Sequence, residues 1–472
     1  MNSGQETMSK ALGNGRRALA EAEEVPVGYK RTEVGLIPED WDIMALRNII
    51  EKFVNGGTPS TKNAAFWSGN IPWITGADIL NQTVAVIRRH ITEEAVHNSS
   101  TSVIAKGNLL IVSRTGVGKL AIAPCDIAIS QDFTGVIPNK EKILAKYLFR
   151  HFDFCQHVLA KQNQGTSIKG ITRDTLAAIL IPLPPLSEQR AIAEALSDMD
   201  GLLAALEALI AKKQAIKQAT MQQLLTGKTR LPGFREAWET RRLGDTFTCL
   251  PTANNPRADL REYGQIGYIH YGDVHAHAQP VLSCAHYELP WIDKSRVDNA
   301  AHLQNGDLVM VDASEDLVGV GKSIEIHGIA GKTIVAGLHT ILCRGNPDYW
   351  AMRFKAYLQF IPAFKSALIR MATGISVYAI SKKQLSDIEL ALPSLLEQEA
   401  IVSVLSDMDA EIAALERRRD KTRAVKQGMM QQLLTGRVRL VEPRTITERL
   451  AATRPAEQEA QWKVVETKEA GR

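Results

Sequence analysis

The stretch LPPLSEQRAIAEALSDMDGLLAALEALIAKKQAIKQATMQQLLTGKTRL, residues 183–231, recurs as LPSLLEQEAIVSVLSDMDAEIAALERRRDKTRAVKQGMMQQLLTGRVRL, residues 392–440. The two copies align without a gap at an offset of 209 residues, and 29 of their 49 positions are identical. Weaker similarity extends upstream, where EDWDIMAL (39–46) matches EAWETRRL (236–243), PWITGADI (72–79) matches GYIHYGDV (267–274), and GVGK occurs at 116–119 and 319–322. The gap-free match at an offset of 209, with the weaker upstream matches at offsets of 195 to 203, indicates a tandem duplication. Each half has a variable block followed by a segment that is nearly the same in both halves, which we call the kept segment.

The kept segment has the apolar spacing of a long helix that packs against another helix. Its regularly spaced apolar residues are Ile192, Leu196, Met199, Leu203, Leu206 and Ile210 in the first copy and Ile401, Leu405, Met408, Ile412 and Leu415 in the second. Prolines before each segment and the glycines at 227 and 436 mark the expected helix ends. Ser394 and Glu397 have the spacing of a capping box. A rise of about 1.5 Å per residue gives each helix a length of roughly 58 Å.

Two such helices in one chain bury their apolar stripes against each other or against a partner, and an intramolecular antiparallel pair is the simplest arrangement. The alternative is that each helix belongs to the core of a separate domain. The polar positions Asp198/Asp407, Asp200/Asp409, Gln222/Gln431 and Gln223/Gln432, which are also the same in both copies, favour the paired arrangement.

The variable blocks have the pattern of α+β domains with short strands. GNLLIVSR (107–114) and GDLVMVD (306–312) are apolar runs opened by a turn residue, as strands are. Residues 145–162 and 349–370 are predicted to be helical. The predicted fold is therefore α+β, with two pseudo-repeated α/β domains separated by two long helices that form an antiparallel coiled coil.

Composition excludes several classes of protein. The chain has 472 residues, 45% of them hydrophobic and 23% charged, which is typical of a globular protein of about three domains. No run approaches the roughly 18 apolar residues of a membrane span, and the N-terminus lacks a secretory pattern, so we expect a cytoplasmic protein.

The net charge of the chain is only +4, so any basic surface that binds nucleic acid must be confined to part of the chain. Five cysteines without a C-x-x-C pair indicate scattered reduced thiols.

Three motifs that could indicate catalysis or metal binding do not meet their requirements. GVGK lacks the phosphate-loop glycine, because Ser113 and Asp316 stand at that position, and we interpret it as a tight turn with an exposed lysine. IHYGDVHAH (269–277) offers metal-ligand types, but the other copy keeps only Asp78. NPDY (346–349) is similar to the Asn-Pro-Pro-aromatic loop of amino-methyltransferases, from which Asp348 departs. We therefore predict no catalytic residue and no metal site in this chain.

Basic and aromatic residues occur in the expected loops of both blocks. Lysine and arginine can neutralise phosphates, and arginine can recognise guanine edges in the major groove. The candidate DNA-binding residues are Lys62, Arg88, Arg89, Arg114, Lys119 and Lys169 in the first block, and Arg257, Tyr271, Lys322, Lys332, Arg344 and Tyr378 in the second.

Two variable domains, each followed by a copy of the helix with PLxEQ, LSDMD and QQLLTG, resemble the specificity subunit of type I restriction–modification systems. The resemblance extends from about residue 25 to residue 440 and includes GLIPEDW (35–41), GGTPS (56–60) and SRTGVGK (113–119). Arg417, Arg418 and Arg419 interrupt the apolar stripe of the second helix and depart from the pattern.

The resemblance implies a division of the chain and a set of partners. The domains would be an N-terminal tail (1–24), target recognition domain 1 (25–182), a central helix (183–232), target recognition domain 2 (233–391), a C-terminal helix (392–440) and a tail (441–472). Each recognition domain would bind one half of a bipartite site in double-stranded DNA, and the helices would set the spacer and bind methyltransferase subunits, two of them by the symmetry. The chain would hold no cofactor itself, since S-adenosylmethionine, ATP and Mg²⁺ would be used by the methyltransferase and endonuclease/translocase partners. The alternative is a coiled-coil interaction scaffold, or a silent copy, without DNA specificity.

Overall fold

A computed structural model of the chain describes residues 25–156, 159, 170–317, 319–374 and 377–442. The described residues form two compact units, the first from residues 25–205 and 419–442 and the second from residues 206–418. Two helices of 40 residues, Leu186–Leu225 and Leu395–Leu434, each contribute one part to each unit. The two long helices predicted from the repeat are confirmed.

The first unit contains two four-stranded sheets with strand orders β11-β10-β13-β4 and β8-β5-β12-β9, and the pair β14-β3 joins the start and end of the domain. Within the second of these sheets, β12 and β5 are parallel. The strands are β1 (Tyr29–Thr32), β2 (Gly35–Pro38), β3 (Asp42–Ala45), β4 (Ile50–Asn55), β5 (Ile71–Ile74), β6 (Ile79–Leu80), β7 (Thr83–Val84), β8 (Arg89–Ile91), β9 (Ser102–Ile104), β10 (Leu109–Val112), β11 (Leu120–Ile122), β12 (Ile127–Ile129), β13 (Phe133–Pro138) and β14 (Leu180–Leu183). The helices are α1 (Glu93–His97), α2 (Ala145–Phe154), α3 (Arg173–Ala178) and the first part of α4 (Leu186–Leu225).

The second unit repeats this topology. Its sheets have the orders β16-β24-β20-β22-β18 and β19-β17-β23, and the pair β15-β26 takes the place of β14-β3. The strands are β15 (Glu239–Arg242), β16 (Phe247–Leu250), β17 (Ile266–Ile269), β18 (Val281–Ser283), β19 (Trp291–Ile292), β20 (Leu308–Val311), β21 (Ala313–Ser314), β22 (Ser323–His327), β23 (Thr333–Ala336), β24 (Thr340–Gly345), β25 (Tyr378–Ala379) and β26 (Glu389–Leu392). The helices are α5 (Leu243–Thr246), α6 (Tyr271–Ala276), α7 (Pro362–Met371), α8 (Lys382–Ser386) and parts of α4 and α9 (Leu395–Leu434).

Strand β10 shows why a continuous apolar run forms the centre of each domain. Leu109 and Ile111 pack in a core with Tyr147 of α2, whereas Leu110 and Val112 pack in another core with Ile74 of the neighbouring sheet. Successive side chains of a strand point to opposite faces, so a strand buried on both faces is apolar throughout. β20 divides in the same way, with Leu308 and Met310 on one face and Val309 and Val311 on the other.

The long helices pair antiparallel within each unit. In the first unit Lys426 contacts Asp200 at 2.6 Å, and Arg439, shortly after α9, contacts Glu188 at the start of α4. In the second unit Lys213 contacts Glu411 at 2.7 Å, and Lys217 pairs with Asp409. Of the predicted apolar stripe, Ile192, Leu196, Leu206, Ile401, Leu405 and Ile412 are buried and Met199, Leu203, Met408 and Leu415 are partly buried.

Two local predictions are wrong. Residues 349–370 do not form one helix, because a 3-10 helix at Lys355–Phe360 ends before Pro362 begins α7, and the buried Glu325 carboxylate accepts the Arg353 and Ala356 N–H groups. The capping box at Ser394 is only half formed. The Ser394 hydroxyl accepts from the Glu397 N–H at 3.4 Å, but the Glu397 carboxylate binds Arg230 and Trp238 instead.

Candidate nucleic-acid interface

In the first unit, loops from distant parts of the chain meet at one end of the sheets. The Ser113 and Arg114 N–H groups donate to the Asp132 carbonyl at 2.8 and 3.2 Å, and Ile171 N–H donates to the Ser113 carbonyl at 2.9 Å. The Lys119 ammonium donates to the Gly76 carbonyl at 3.1 Å. We call this surface the first loop edge; it comprises residues 56–60, 75–82, 113–119, 130–132 and 170–172.

The GGTPS motif (56–60) fits closely against the other segments of this edge because its glycines have no side chain. A Cβ at position 56 would lie 2.1 Å from the Ser130 carbonyl oxygen, and a Cβ at position 57 would lie 2.5 Å from the backbone of Ser100. Next to them, the Thr58 hydroxyl bonds to the Gln131 side chain. The motif therefore brings a polar loop into close contact with the chain after β12.

The second unit brings together the equivalent loops. The Asp312 N–H donates to the His339 carbonyl at 3.2 Å and Ile380 N–H donates to the Asp312 carbonyl at 2.9 Å, the same pattern as at Ser113. The Lys322 ammonium donates to the His275 carbonyl at 2.5 Å. The second loop edge comprises residues 253–259, 270–276, 312–317 with 319–322, 337–340, and 373–374 with 377–380.

Both loop edges have an aspartate whose carboxylate closes a turn. The Asp78 carboxylate accepts from Thr75 N–H at 2.8 Å, and the Asp273 carboxylate accepts from His270 N–H at 2.9 Å, each in a capping box. Among the described residues, no group of three or more His, Cys, Asp and Glu could hold a metal ion. His270 caps the turn through Nδ1, and burial lowers the pKa of both His270 and His275.

The predicted DNA-binding residues divide between the loop edges and other places. Arg88, Arg114, Lys119, Arg257, Tyr271, Lys322 and Tyr378 lie at or beside the loop edges, whereas Lys332 and Arg344 lie at the opposite ends of β23 and β24. Lys62 is exposed just beyond residues 56–60, and Arg89 on β8 lies over the Trp73 ring at 4.5 Å. Lys169 lies outside the described residues.

Several of these cations already have partners. Arg257 pairs with Asp273 at 2.6 Å, and Arg344 forms a two-bond contact with Asp307 at 2.7 and 2.8 Å. The interpretation of the GVGK lysine as exposed is wrong, because Lys119 and Lys322 are half-buried and bridge to the neighbouring turn.

Sequence reasoning missed His339 and Asp312, which lie together in the second loop edge. His339 is half-exposed, has a φ of 55°, and its ring lies 5.5 Å from that of Tyr271. Its Nδ1 is 3.5 Å from Asp312 Oδ1, and burial raises the pKa of Asp312 while the histidine lowers it. A left-handed backbone at a residue other than glycine is uncommon and could not be inferred from the sequence. The equivalent positions of the first edge hold Asp132 and Ser113.

Each unit also contains a buried polar contact that joins a domain, the start of one long helix and the segment that follows the other long helix. In the first, which we call the first clasp, Glu188 accepts from Trp41 Nε1 at 2.9 Å and from Arg439 at 2.5 and 2.7 Å. Arg439 also donates to Asp40 at 2.8 and 2.9 Å. The second clasp has Glu397 accepting from Trp238 at 3.0 Å and from Arg230 at 2.5 and 2.6 Å. The offset of 209 relates Glu188 to Glu397 and Arg230 to Arg439, so one contact is built twice.

The glutamine beside each of these glutamates fixes the domain to the helix start. The Gln189 side chain donates to the Lys142 and Pro184 carbonyls and accepts from Leu144 N–H, at 2.9 to 3.0 Å. Gln398 donates to the Tyr349 and Pro393 carbonyls and accepts from Ala351 N–H, at 2.8 to 3.0 Å. Both glutamines are fully or almost fully buried, so the EQ pair of the kept segment is part of the domain–helix junction.

The family model described as the type I restriction modification DNA specificity domain matches residues 38–218 and 235–422. The chain belongs to this family. The two matched regions each hold most of one of the two repeated domains and most of the long helix that follows it, in agreement with the repeated topology.

Specificity subunits are among the relatives that the chain resembles, one of them along most of the chain and two over shorter stretches. The putative type I restriction enzyme MjaX specificity subunit of Methanocaldococcus jannaschii is 25% identical over 442 residues, covering 87% of this chain and 97% of the relative. The MjaIX specificity subunit of the same organism is 30% identical over 252 residues, 49% of this chain and 57% of the relative. The EcoR124I/EcoR124II specificity subunit of Escherichia coli is 36% identical over 163 residues, 32% of this chain and 39% of the relative.

Solved structures of type I systems share the fold. A chain from a study of complex assembly and conformational transition of the type I R-M system has a TM-score of 0.56 at 19% identity, covering 85% of this chain and 99% of that chain. The HsdS subunit from Thermoanaerobacter tengcongensis has a TM-score of 0.50 at 20% identity, with 85% and 98% covered. Within the described part of the chain, no helix combines the length and hydropathy needed to cross a membrane.

Proposed function

We propose that this chain is the non-catalytic DNA sequence-specificity subunit of a type I restriction–modification complex, in which each recognition domain binds one half of a bipartite site. The observation that carries the proposal is the pair of loop edges, which have one hydrogen-bonded framework and different side chains. Ser113 and Asp132 in the first edge are replaced by Asp312 and His339 in the second. A common framework with different polar groups would recognise two different base sequences.

The chemistry of the loop edges supports base recognition. Carboxylates can accept hydrogen bonds from the amino groups of cytosine and adenine, and half-exposed histidine and tyrosine side chains can contact base edges or phosphates. Phosphate contacts by Arg114 in the first edge, and by Lys322 in the second, would set the position of each domain along the duplex. The lysines and arginines predicted at these edges remain candidates for this role.

The repeat also supports the proposed partners. A fold with two equivalent helix junctions offers two equivalent surfaces, so we propose that two methyltransferase subunits bind, one for each half. Asp198 and Asp407, identical in the two copies and exposed, are candidates for that contact. An endonuclease/translocase subunit would bind to the complex in the cytoplasm. S-adenosylmethionine, ATP and Mg²⁺ would be bound by these partners.

Conservative substitutions at the two loop edges test the proposal. His339→Asn keeps a residue that tolerates the left-handed backbone, and Asp132→Asn keeps the side-chain shape. In cells that contain the partner methyltransferase, we expect His339→Asn to alter or abolish recognition of one half of the methylated motif and Asp132→Asn to affect the other half. Lys294→Gln is the control, since Lys294 is exposed at the opposite end of the second domain's small sheet. If both edge variants change the same half, or if neither differs from the control, the assignment is wrong.

A further inference from the structure

Two of the five cysteines of the chain face each other across neighbouring strands. Cys249 of β16 is directly opposite Cys343 of β24 in an antiparallel ladder. Opposed residues in such a ladder have Cα atoms about 4.5 or 5.5 Å apart, and both distances lie within the range of disulfide-bonded cysteines. The other cysteines of the described chain, Cys125, Cys155 and Cys284, have no such partner in the strand register.

The surroundings of the pair make one of the two thiols reactive. Cys249, Cys343 and Ser386 line one small cavity, and Lys382, whose ammonium donates to the Leu250 carbonyl at 3.0 Å, contributes a positive charge nearby. The neighbouring Cys343 thiol, followed by Lys382 and Ser386, lowers the pKa of Cys249 to about 7 although partial burial acts in the opposite direction. Cys249 is half-buried, whereas Cys343 is buried at 1% exposure.

The remaining cysteines with shifted pKa values behave in the opposite way. Burial raises the pKa of Cys284 to about 11 and also raises the pKa of Cys155, and the contact with Cys249, followed by burial, raises the pKa of Cys343. Because the thiolate is the nucleophilic form, a partly exposed thiol with a lowered pKa reacts first. Cys249 is such a thiol.

The first domain shows that the fold does not require cysteines at these positions. The strands equivalent to β16 and β24 are β4 and β13, and the equivalent ladder position pairs Phe53 with Val136. An apolar pair thus occupies the place of the two thiols in an otherwise equivalent sheet. The thiol pair is a feature of the second domain alone.

We propose that Cys249 and Cys343 are a redox-active thiol pair that forms a reversible disulfide with a small-molecule disulfide as the oxidant. The Cys249 thiolate attacks one sulfur of the oxidant, so that the oxidant's S–S bond breaks, a mixed disulfide forms and one thiolate leaves. Cys343 then gives its proton to solvent and attacks the Cys249 sulfur, which releases the second small thiol. Two protein thiols are oxidised and one disulfide is reduced to two thiols. The product joins β16, the edge strand of the five-stranded sheet, to its neighbour.

Peptide mapping of the full chain after treatment with oxidised glutathione tests the proposal. Trypsin releases Cys249 in residues 243–257 and Cys343 in residues 333–344. We expect these two peptides to be recovered joined by a disulfide that dithiothreitol cleaves. Recovery of both peptides unlinked under conditions that oxidise the other cysteines would overturn the proposal.

The pH dependence of alkylation gives an independent measurement on the unaltered chain. Between pH 7.5 and pH 6, reaction of Cys249 with iodoacetamide is expected to slow roughly eightfold for a pKa near 7, against roughly thirtyfold for an ordinary thiol.

Cys343→Val introduces the residue that the first domain has at the equivalent position. This variant is expected to accumulate glutathione on Cys249, and Cys155→Ser is the matched control that should retain the disulfide. A thirtyfold slowing together with no mixed disulfide in Cys343→Val would contradict the proposal.

Discussion

At the residue scale, the clasps explain why particular polar residues recur in both halves of the chain. Glu188 and Glu397 are fully or almost fully buried, and each accepts hydrogen bonds from a tryptophan and an arginine. The EQ pair and the two tryptophans could be seen in the sequence as repeated residues, but their partners could not. Arg439 is 251 residues from Glu188, and nothing local in the sequence relates the two.

Removing the arginine of the first clasp is expected to open the domain–helix junction. Arg439→Met leaves the buried Glu188 and Asp40 carboxylates without their cation, a change that costs about 3 kcal/mol in comparable buried pairs. Hydrogen exchange of the amides in residues 39–46, followed by mass spectrometry, should then be roughly a hundredfold faster. Arg437→Met, at an exposed neighbouring position, is the control. Equal exchange in the two variants would show that the clasp does not hold the junction.

At the element scale, the sequence predicted the long helices and the central strands because their physical signals are periodic. β10 and β20 are apolar on both faces, and the helices repeat their buried positions without a gap. The prediction of a helix over residues 349–370 was wrong because tertiary contacts override local propensity. The buried Glu325 carboxylate accepts hydrogen bonds from the N–H groups of Arg353 and Ala356, and Pro362 starts a separate helix.

The buried apolar stripe of the two long helices is expected not to tolerate charged side chains. Leu196→Asp and Leu206→Asp place carboxylates where the leucines are 0% and 4% exposed, so the paired helices should unfold or fail to bind the methyltransferase partner. Leu202→Asp is the matched control on the same helix, since Leu202 is 39% exposed. Co-purification of the partner and the helical signal in circular dichroism measure the effect. Normal assembly of the Leu196→Asp and Leu206→Asp variants would show that the apolar stripe is not needed for helix pairing or partner binding.

At the scale of the whole molecule, the duplication could be predicted and the loop edges could not. The two copies of the kept segment, 209 residues apart with 29 identical positions, can be recognised from the sequence alone. His339 and Asp312 were missed because their role depends on loops that meet from five parts of the chain and on a left-handed backbone. For the same reason, Arg344 was grouped with the loop residues although it lies at the other end of its strand, bound to Asp307.

The central claim is that one chain recognises two half-sites with two separate domains. The most direct test is single-molecule sequencing of methylated adenines in cells that contain the partner methyltransferase, with this gene, without it, and with residues 25–181 replaced by the block of another family member. We predict a two-part motif that disappears without the gene and of which only one half changes in the chimaera. A methylome that is the same with and without the gene, or a chimaera in which both halves change, would contradict the claim.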